Sequence, residues 1–154
     1  MGFDVYGLKP KINKEKPKTL DDYQDKDGFA KWDKMDDKDR DIYFKLQDKY
    51  HSDNPGVYFR SNVWWWRTLW DYTCDVCYKI LTRDEMASGQ FNDGNKISKT
   101  KATKMAKAMK DAETNGFLNE YESNVPKETS YPFSIDVAID FRKFIEESGG
   151  IEIS

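Results

Sequence analysis

A chain of 154 residues has the length of one domain, or of one domain with an attachment, and is long enough to bury a real core. Only 38% of its residues are apolar and 34% are charged, while 15% are aromatic, so a few large rings must do the work of many aliphatic side chains. The net charge of −3 argues against general affinity for nucleic acid or membrane surfaces and leaves only a local basic face as a route to either.

The alternation in "FDVYG", closed by Gly7 and Pro10, predicts a short strand, and "GGIEIS" at 149–154 carries the same alternation with Ile151 and Ile153 on one face. Neither is stable alone, so the two ends are expected to pair in a small terminal β-sheet. Residues 13–53 are crowded with Lys and Asp and read as a charged, partly helical insertion in a single domain spanning 1–154. Within the insertion, Asp36 or Asp37 can cap a helix running to about Tyr50, with Ile42, Tyr43, Leu46 and Tyr50 as its apolar stripe. Asn54, Pro55 and Gly56 then supply turn chemistry.

From the N-cap Asn62, "VWWWRTLWDYTCDVCYKIL" runs to Leu81 without a breaker. Trp66, Trp70, Cys74, Cys77 and Leu81 fall on one helical stripe, and Trp65, Leu69, Tyr72, Val76 and Ile80 on its neighbour. A helix apolar over more than half its circumference is a central one. "SGQFNDGNKIS" at 88–98 reads as a loop, after which Ser98 caps a helix with Ala102, Met105, Ala106 and Met109 inward until Asn115-Gly116 stops it. A looser segment with Pro126 and Pro132 follows. Ser134 caps a last helix, with Ile135, Ala138, Phe141, Phe144 and Ile145 inward, that ends at Gly149-Gly150. The fold class expected is mainly α: a compact helical domain around a central Trp-rich helix, with the small terminal sheet as a minor element.

The blocks "MGFDVYGL" with Pro10-Lys11 at 1–11, "NPGVYFRSNVWWWRTLW" at 54–70, "SGQFNDGNKIS" at 88–98 and "YPFSIDVAIDFRKFIEESGGIEIS" at 131–154 together resemble a family of small uncharacterised proteins of tailed phages and marine viruses. Ser154 and Asn95 depart from the Cys and His frequent in that family at those places. The resemblance implies a viral origin and no particular chemistry.

The absence of an apolar run of about 18 residues, and of a secretory order at the N-terminus, predicts a protein of the cytosol, here the host cytoplasm, with no membrane partner. Cys74 and Cys77 are too few for a disulfide scaffold, and with only one His in the chain they do not complete a zinc site, so they read as buried free thiols. His51 sits where a cation favours a helix C-terminus. No pair of carboxylates is placed by the sequence in an apolar pocket, and "FNDGNK" lacks the spacing of calcium and phosphate loops. No catalytic residue, metal or cofactor is therefore assigned.

Successive helical residues point about 100° apart, so Trp64, Trp65 and Trp66 cannot share one stacking platform. Trp64, at the helix start and outside both stripes, is the one expected at the surface. Three functions follow. The first is a non-enzymatic phage accessory protein that binds a host protein. The second is a binder of a nucleotide-like small molecule through Arg60, Asn62, Trp64, Arg67, Asn92 and Asp93. The third is nucleic-acid contact through the face formed by Lys96, Lys99, Lys101, Lys104, Lys107 and Lys110, which lacks interleaved aromatics or arginines and is the least favoured partner.

Overall fold

The computed structural model describes residues 2–127 and 131–154. The chain is mainly helical with a minor antiparallel sheet, and it divides into two compact units, Met1–Lys11 with Pro55–Ser154, and Ile12–Asn54.

The larger unit contains the sheet. β1 (Gly2–Gly7) runs between β2 (Tyr58–Asn62) and β4 (Ile151–Ile153), and β3 (Asn95–Ile97) lies outside β4. All three pairings are antiparallel, and Val5 stands opposite both Phe59 and Ile153. The two chain ends pair as their alternation predicts: the Asp4 N–H donates to the Ser154 carbonyl at 2.7 Å and the Ser154 N–H to the Asp4 carbonyl at 2.8 Å. Phe3, Val5, Ile151 and Ile153 are all buried. The sequence reading does not foresee β2 and β3, for a physical reason. The inward position opposite Phe3 is taken by Ser61, a polar residue that hides the alternation, and three residues of β3 are too few to show a period.

α3 (Val63–Val76) begins where Asn62 accepts hydrogen bonds from the N–H groups of Trp64 and Trp65 at 3.1 and 3.0 Å. Trp66 stacks on Phe3 at 5.0 Å between centroids and on Trp70 at 5.5 Å, and both indoles are fully buried. Burying an indole requires a partner for its N–H. Trp66 Nε1 donates to the Gly89 carbonyl at 2.8 Å and Trp70 Nε1 to that of Met86 at 2.9 Å. Gly89 is needed for the fit, since a Cβ there would stand 2.1 Å from the Trp70 ring. The helix stops at Val76 rather than Leu81. The chain turns so that the N–H groups of Ile80 and Leu81 both donate to the Cys77 carbonyl, which keeps Cys77 and Leu81 buried without a continuous helix.

α4 (Arg83–Ser88) opens with a reciprocal cap between Thr82 and Glu85, and α5 (Lys99–Thr114) with Ser98. Ala102, Met105, Ala106 and Met109 of α5 are buried. The segment after Gly116 is less loose than its composition suggests. α6 (Phe117–Asn124) restarts at once, because Asn115 Oδ1 accepts the Phe117 N–H at 2.9 Å. α7 (Ile135–Ser148) packs on α5 and presents Ala138, Phe141, Phe144 and Ile145 to the core. Its Arg142 is buried, which is tolerable only with full pairing. The guanidinium donates to both carboxylate oxygens of Glu113 on α5 at 2.7 and 2.9 Å, and to Glu146 at 2.7 Å.

The smaller unit comprises α1 (Lys18–Asp21), a 3-10 turn at Trp32–Lys34 and α2 (Asp37–Asp53), capped by Asp36. Leu20, Met35 and Tyr43 form its core, and Tyr43 meets the edges of the Tyr23 and Trp32 rings. Ile42, expected inward, is exposed. Asn54 is fully buried and hydrogen-bonds through every side-chain atom able to do so. Its Oδ1 accepts from the N–H groups of Asn13 and Lys14, and its Nδ2 donates to the carbonyls of Lys14 and Tyr50, closing the ends of the unit on each other. Burial holds the His51 imidazole below its ordinary value against the opposing pull of Asp48, so at neutral pH it does not supply the cation that its place in the last turn of α2 suggested.

Candidate functional site

α3 presents an outer face as well as a core face. Arg67 and Asp71, four residues apart, lie one above the other on it. Both line a cleft of about 570 Å³, a size within the range of small-molecule sites. Thr68 joins them from the same helix, Gln90 from the turn after α4, Tyr121 from α6, and Val125, Pro126 and Tyr131 from the segment beyond it. The walls are thus mixed, with two tyrosine rings and two small apolar side chains beside a cation, a carboxylate, an amide and a hydroxyl.

Hydrogen bonds fix several of these groups. Gln90 Nε2 donates to Asp71 Oδ1 at 2.8 Å, which sets the orientation of the amide. The Thr68 hydroxyl is held by the carbonyls of Trp65 and Pro132. Burial, then the carboxylates of Asp75 and Asp71 and finally Cys74, push the Tyr121 phenol up to about 12, so it remains a donor at neutral pH. Burial, then Asp71, raises the Asp75 carboxyl. Arg67 makes no ion pair among the described residues.

Of the six residues expected to bind a small ligand, only Arg67 lines the cleft. Trp64, half exposed, reaches its rim by packing on the Tyr131 ring at 5.4 Å between centroids. Arg60 lies on β2 opposite Asp4 of β1, 3.8 Å from its carboxylate, and Asn62 is committed to capping α3. Asn92 donates to the Gly2 carbonyl of β1 at 3.2 Å, and Asp93 accepts from Asn95, so the 92–95 turn uses these polar groups on the fold itself. Gly94 sits at φ +89° in that turn, a conformation suited to glycine. Asp71 was legible only as the i+4 neighbour of Arg67. Gln90, Tyr121 and Tyr131 converge through tertiary packing and gave no signal in the sequence.

The lysine face divides. Lys101 is paired with Glu85, and Lys96 lies 3.7 Å from Glu152. Lys99, Lys104, Lys107 and Lys110 are exposed along α5. Cys74 and Cys77 are free, and burial above all pushes both thiols up to about 12. Such thiols are poor nucleophiles at neutral pH. Among the described residues no helix is long and apolar enough to cross a membrane, and no group of three or more His, Cys, Asp or Glu side chains is placed to hold a metal ion. No family model, curated protein or solved structure matches this chain, so the chemistry of the cleft is what points to a function.

Proposed function

We propose that the protein acts by binding, and that the Arg67 cleft takes a small planar anion of the nucleotide type. The observation that carries this is an arginine without an ion-pair partner among the described residues, lining a hollow that also offers two tyrosine rings. Guanidinium groups suit phosphate, and aromatic faces suit bases, each stacked base contributing about 1–3 kcal/mol. A thermal-shift series with nucleotides tests it. A ligand at one hundred times its dissociation constant adds about 2.7 kcal/mol to stability. Arg67→Ala should abolish the shift, and a flat response to every nucleotide removes the proposal.

The same reading makes the tryptophan helix the central element of its unit, which fixes the outer face bearing Arg67 and Asp71. Support comes from the full burial of Trp66 and Trp70 and from the ring stack Phe3–Trp66–Trp70. Native fluorescence of Trp66 and Trp70 as red-shifted as free indole would refute it.

A second reading is an accessory protein of a tailed phage or marine virus that binds a host protein in the host cytoplasm. The exposed rings of Trp32 and Phe44 in the smaller unit, 5.5 Å apart between centroids, favour it, because clustered exposed aromatics mark binding surfaces. Pull-down from infected host lysate tests it, and recovery of nothing above background counts against it. Nucleic-acid contact through Lys99, Lys104, Lys107 and Lys110 would show as affinity falling steeply with salt.

A further inference from the structure

The pairing of Gln90 with Asp71 leaves a defined pattern of donors and acceptors in the cleft. One N–H of Gln90 Nε2 is spent on Asp71 Oδ1, at 2.8 Å, and the second N–H of that amide remains. Asp71 Oδ2 has no partner among the described residues, and Oδ1 keeps a second lone pair. Both side chains line the cleft, and among the described residues no cation is paired with the carboxylate. Read across the pair, the cleft offers donor, acceptor, acceptor, the order that cytosine presents to its partner.

The complement of that order is acceptor, donor, donor. Among the common bases only guanine carries it on one edge, as O6, N1–H and the N2 amino group. Adenine sets the ring nitrogen N1, an acceptor, where the carboxylate would stand, and two like acceptors repel. Uracil flanks its single N–H with two carbonyls, and cytosine repeats the pattern of the cleft itself. Asp71 is exposed and Gln90 partly so, so the discrimination expected is that of one bidentate base contact, about tenfold or more.

From this we infer that the cleft selects guanine nucleotides, with the Gln90 N–H donating to O6, the Asp71 carboxylate accepting from N1–H and the N2 amino group, and Arg67 meeting the phosphate. The inference rests on the nucleotide reading above and names the base within it. Asp71 is here a specificity residue, and the bond from Gln90 holds it in position.

Calorimetric titration of the full chain with guanosine, adenosine and xanthosine monophosphates decides the matter. Discrimination of about tenfold or more in favour of the guanosine ligand over the adenosine one is expected for a bidentate contact. Asp71→Asn, an isosteric change at an exposed residue, turns one acceptor into a donor. It should lower affinity for the guanosine ligand by about tenfold or more and raise it for xanthosine monophosphate, whose C2 carbonyl accepts the new N–H. That gain cannot come from misfolding. Equal affinity for the guanosine and adenosine ligands, or a guanine preference that survives Asp71→Asn, overturns the guanine inference and leaves the nucleotide reading standing. Absence of heat with all three ligands at millimolar concentration overturns both.

Discussion

In the unit formed by Met1–Lys11 and Pro55–Ser154, the buried set includes Trp66, Trp70, Tyr72, Phe141 and Phe144, whereas Ile12–Asn54 buries Leu20, Met35 and Tyr43 and closes itself with the four hydrogen bonds of Asn54. The difference shows two ways for a chain poor in aliphatic residues to hold a shape. The larger unit concentrates apolar area in rings and satisfies their polar tips with backbone carbonyls. The smaller one has too little area for that and relies on a directional clasp. Area burial is non-directional and tolerates exchange of like for like, while a clasp fails when one atom is removed.

The largest effect that can test this contrast is in the ring stack. Trp66→Ala removes an indole packed between Phe3 and Trp70 and leaves the Gly89 carbonyl without its donor. A loss of about 3–5 kcal/mol is expected, read as a fall in the denaturant midpoint. Trp66→Phe should lose clearly less. Equal losses would mean that the indole N–H, and not the ring area, carries the larger unit.

How much was legible in the sequence follows the same division. The caps at Asp36, Asn62, Ser98 and Ser134 each do in the structure what their side chains suggest, because capping is a local exchange between one oxygen and an N–H two or three residues on. The pairing of the chain ends was legible from alternation. Ser61 hid β2, and Gln90, Tyr121 and Tyr131 stand beside Arg67 only because of tertiary packing, which leaves no mark in residue spacing. Arg67 itself was found because a cation amid tryptophans is conspicuous. Asn54 was read as a turn former, and its role as a clasp rests on Asn13 and Lys14, some forty residues away in sequence.

The next effect in size belongs to that clasp. Asn54→Ala deprives the Asn13 and Lys14 N–H groups and the Lys14 and Tyr50 carbonyls of a partner. A cost of about 1–3 kcal/mol follows from leaving such groups unsatisfied. Amide exchange should accelerate across Ile12–Asn54, and protection of the α3 amides should persist. Uniform acceleration through both units would erase the distinction drawn between them.

A smaller effect, of opposite sign, is expected at Tyr72. Its side chain is buried among Phe117, Tyr121 and Phe133, and its hydroxyl has no hydrogen-bond partner among the described residues. Burial above all raises the Tyr72 phenol, so the group is neutral and its hydroxyl a net cost. Tyr72→Phe keeps the ring contacts and should be neutral or stabilising by up to about 1 kcal/mol in a denaturation curve. A clear loss would mean that the hydroxyl serves the fold, and that ring area alone does not explain this part of the core.

The smallest effect concerns charge on the surface of the larger unit. Burial alone would raise the Glu85 carboxyl, but its bonds to Lys101 and to the Thr82 backbone and side chain outweigh that and hold it below the ordinary value of 4.5. A carboxyl depressed by folding adds stability that is fully present above the unfolded value and is lost as pH falls through the folded one. Stability of the wild-type chain should therefore decline through this group only below about pH 4.5, while Glu85→Gln should remove that part of the decline and cost about 1 kcal/mol or less at neutral pH, because the pair is still partly solvated and Gln can keep the reciprocal cap. The comparison of acid denaturation curves isolates the pair from the cap. Thr82→Ala removes the hydroxyl that receives the Glu85 N–H but leaves Lys101 in place, so it should lower stability at all pH values and retain most of the acid dependence. If the two variants lost the same acid dependence, the cap rather than the lysine would be what holds Glu85 ionised.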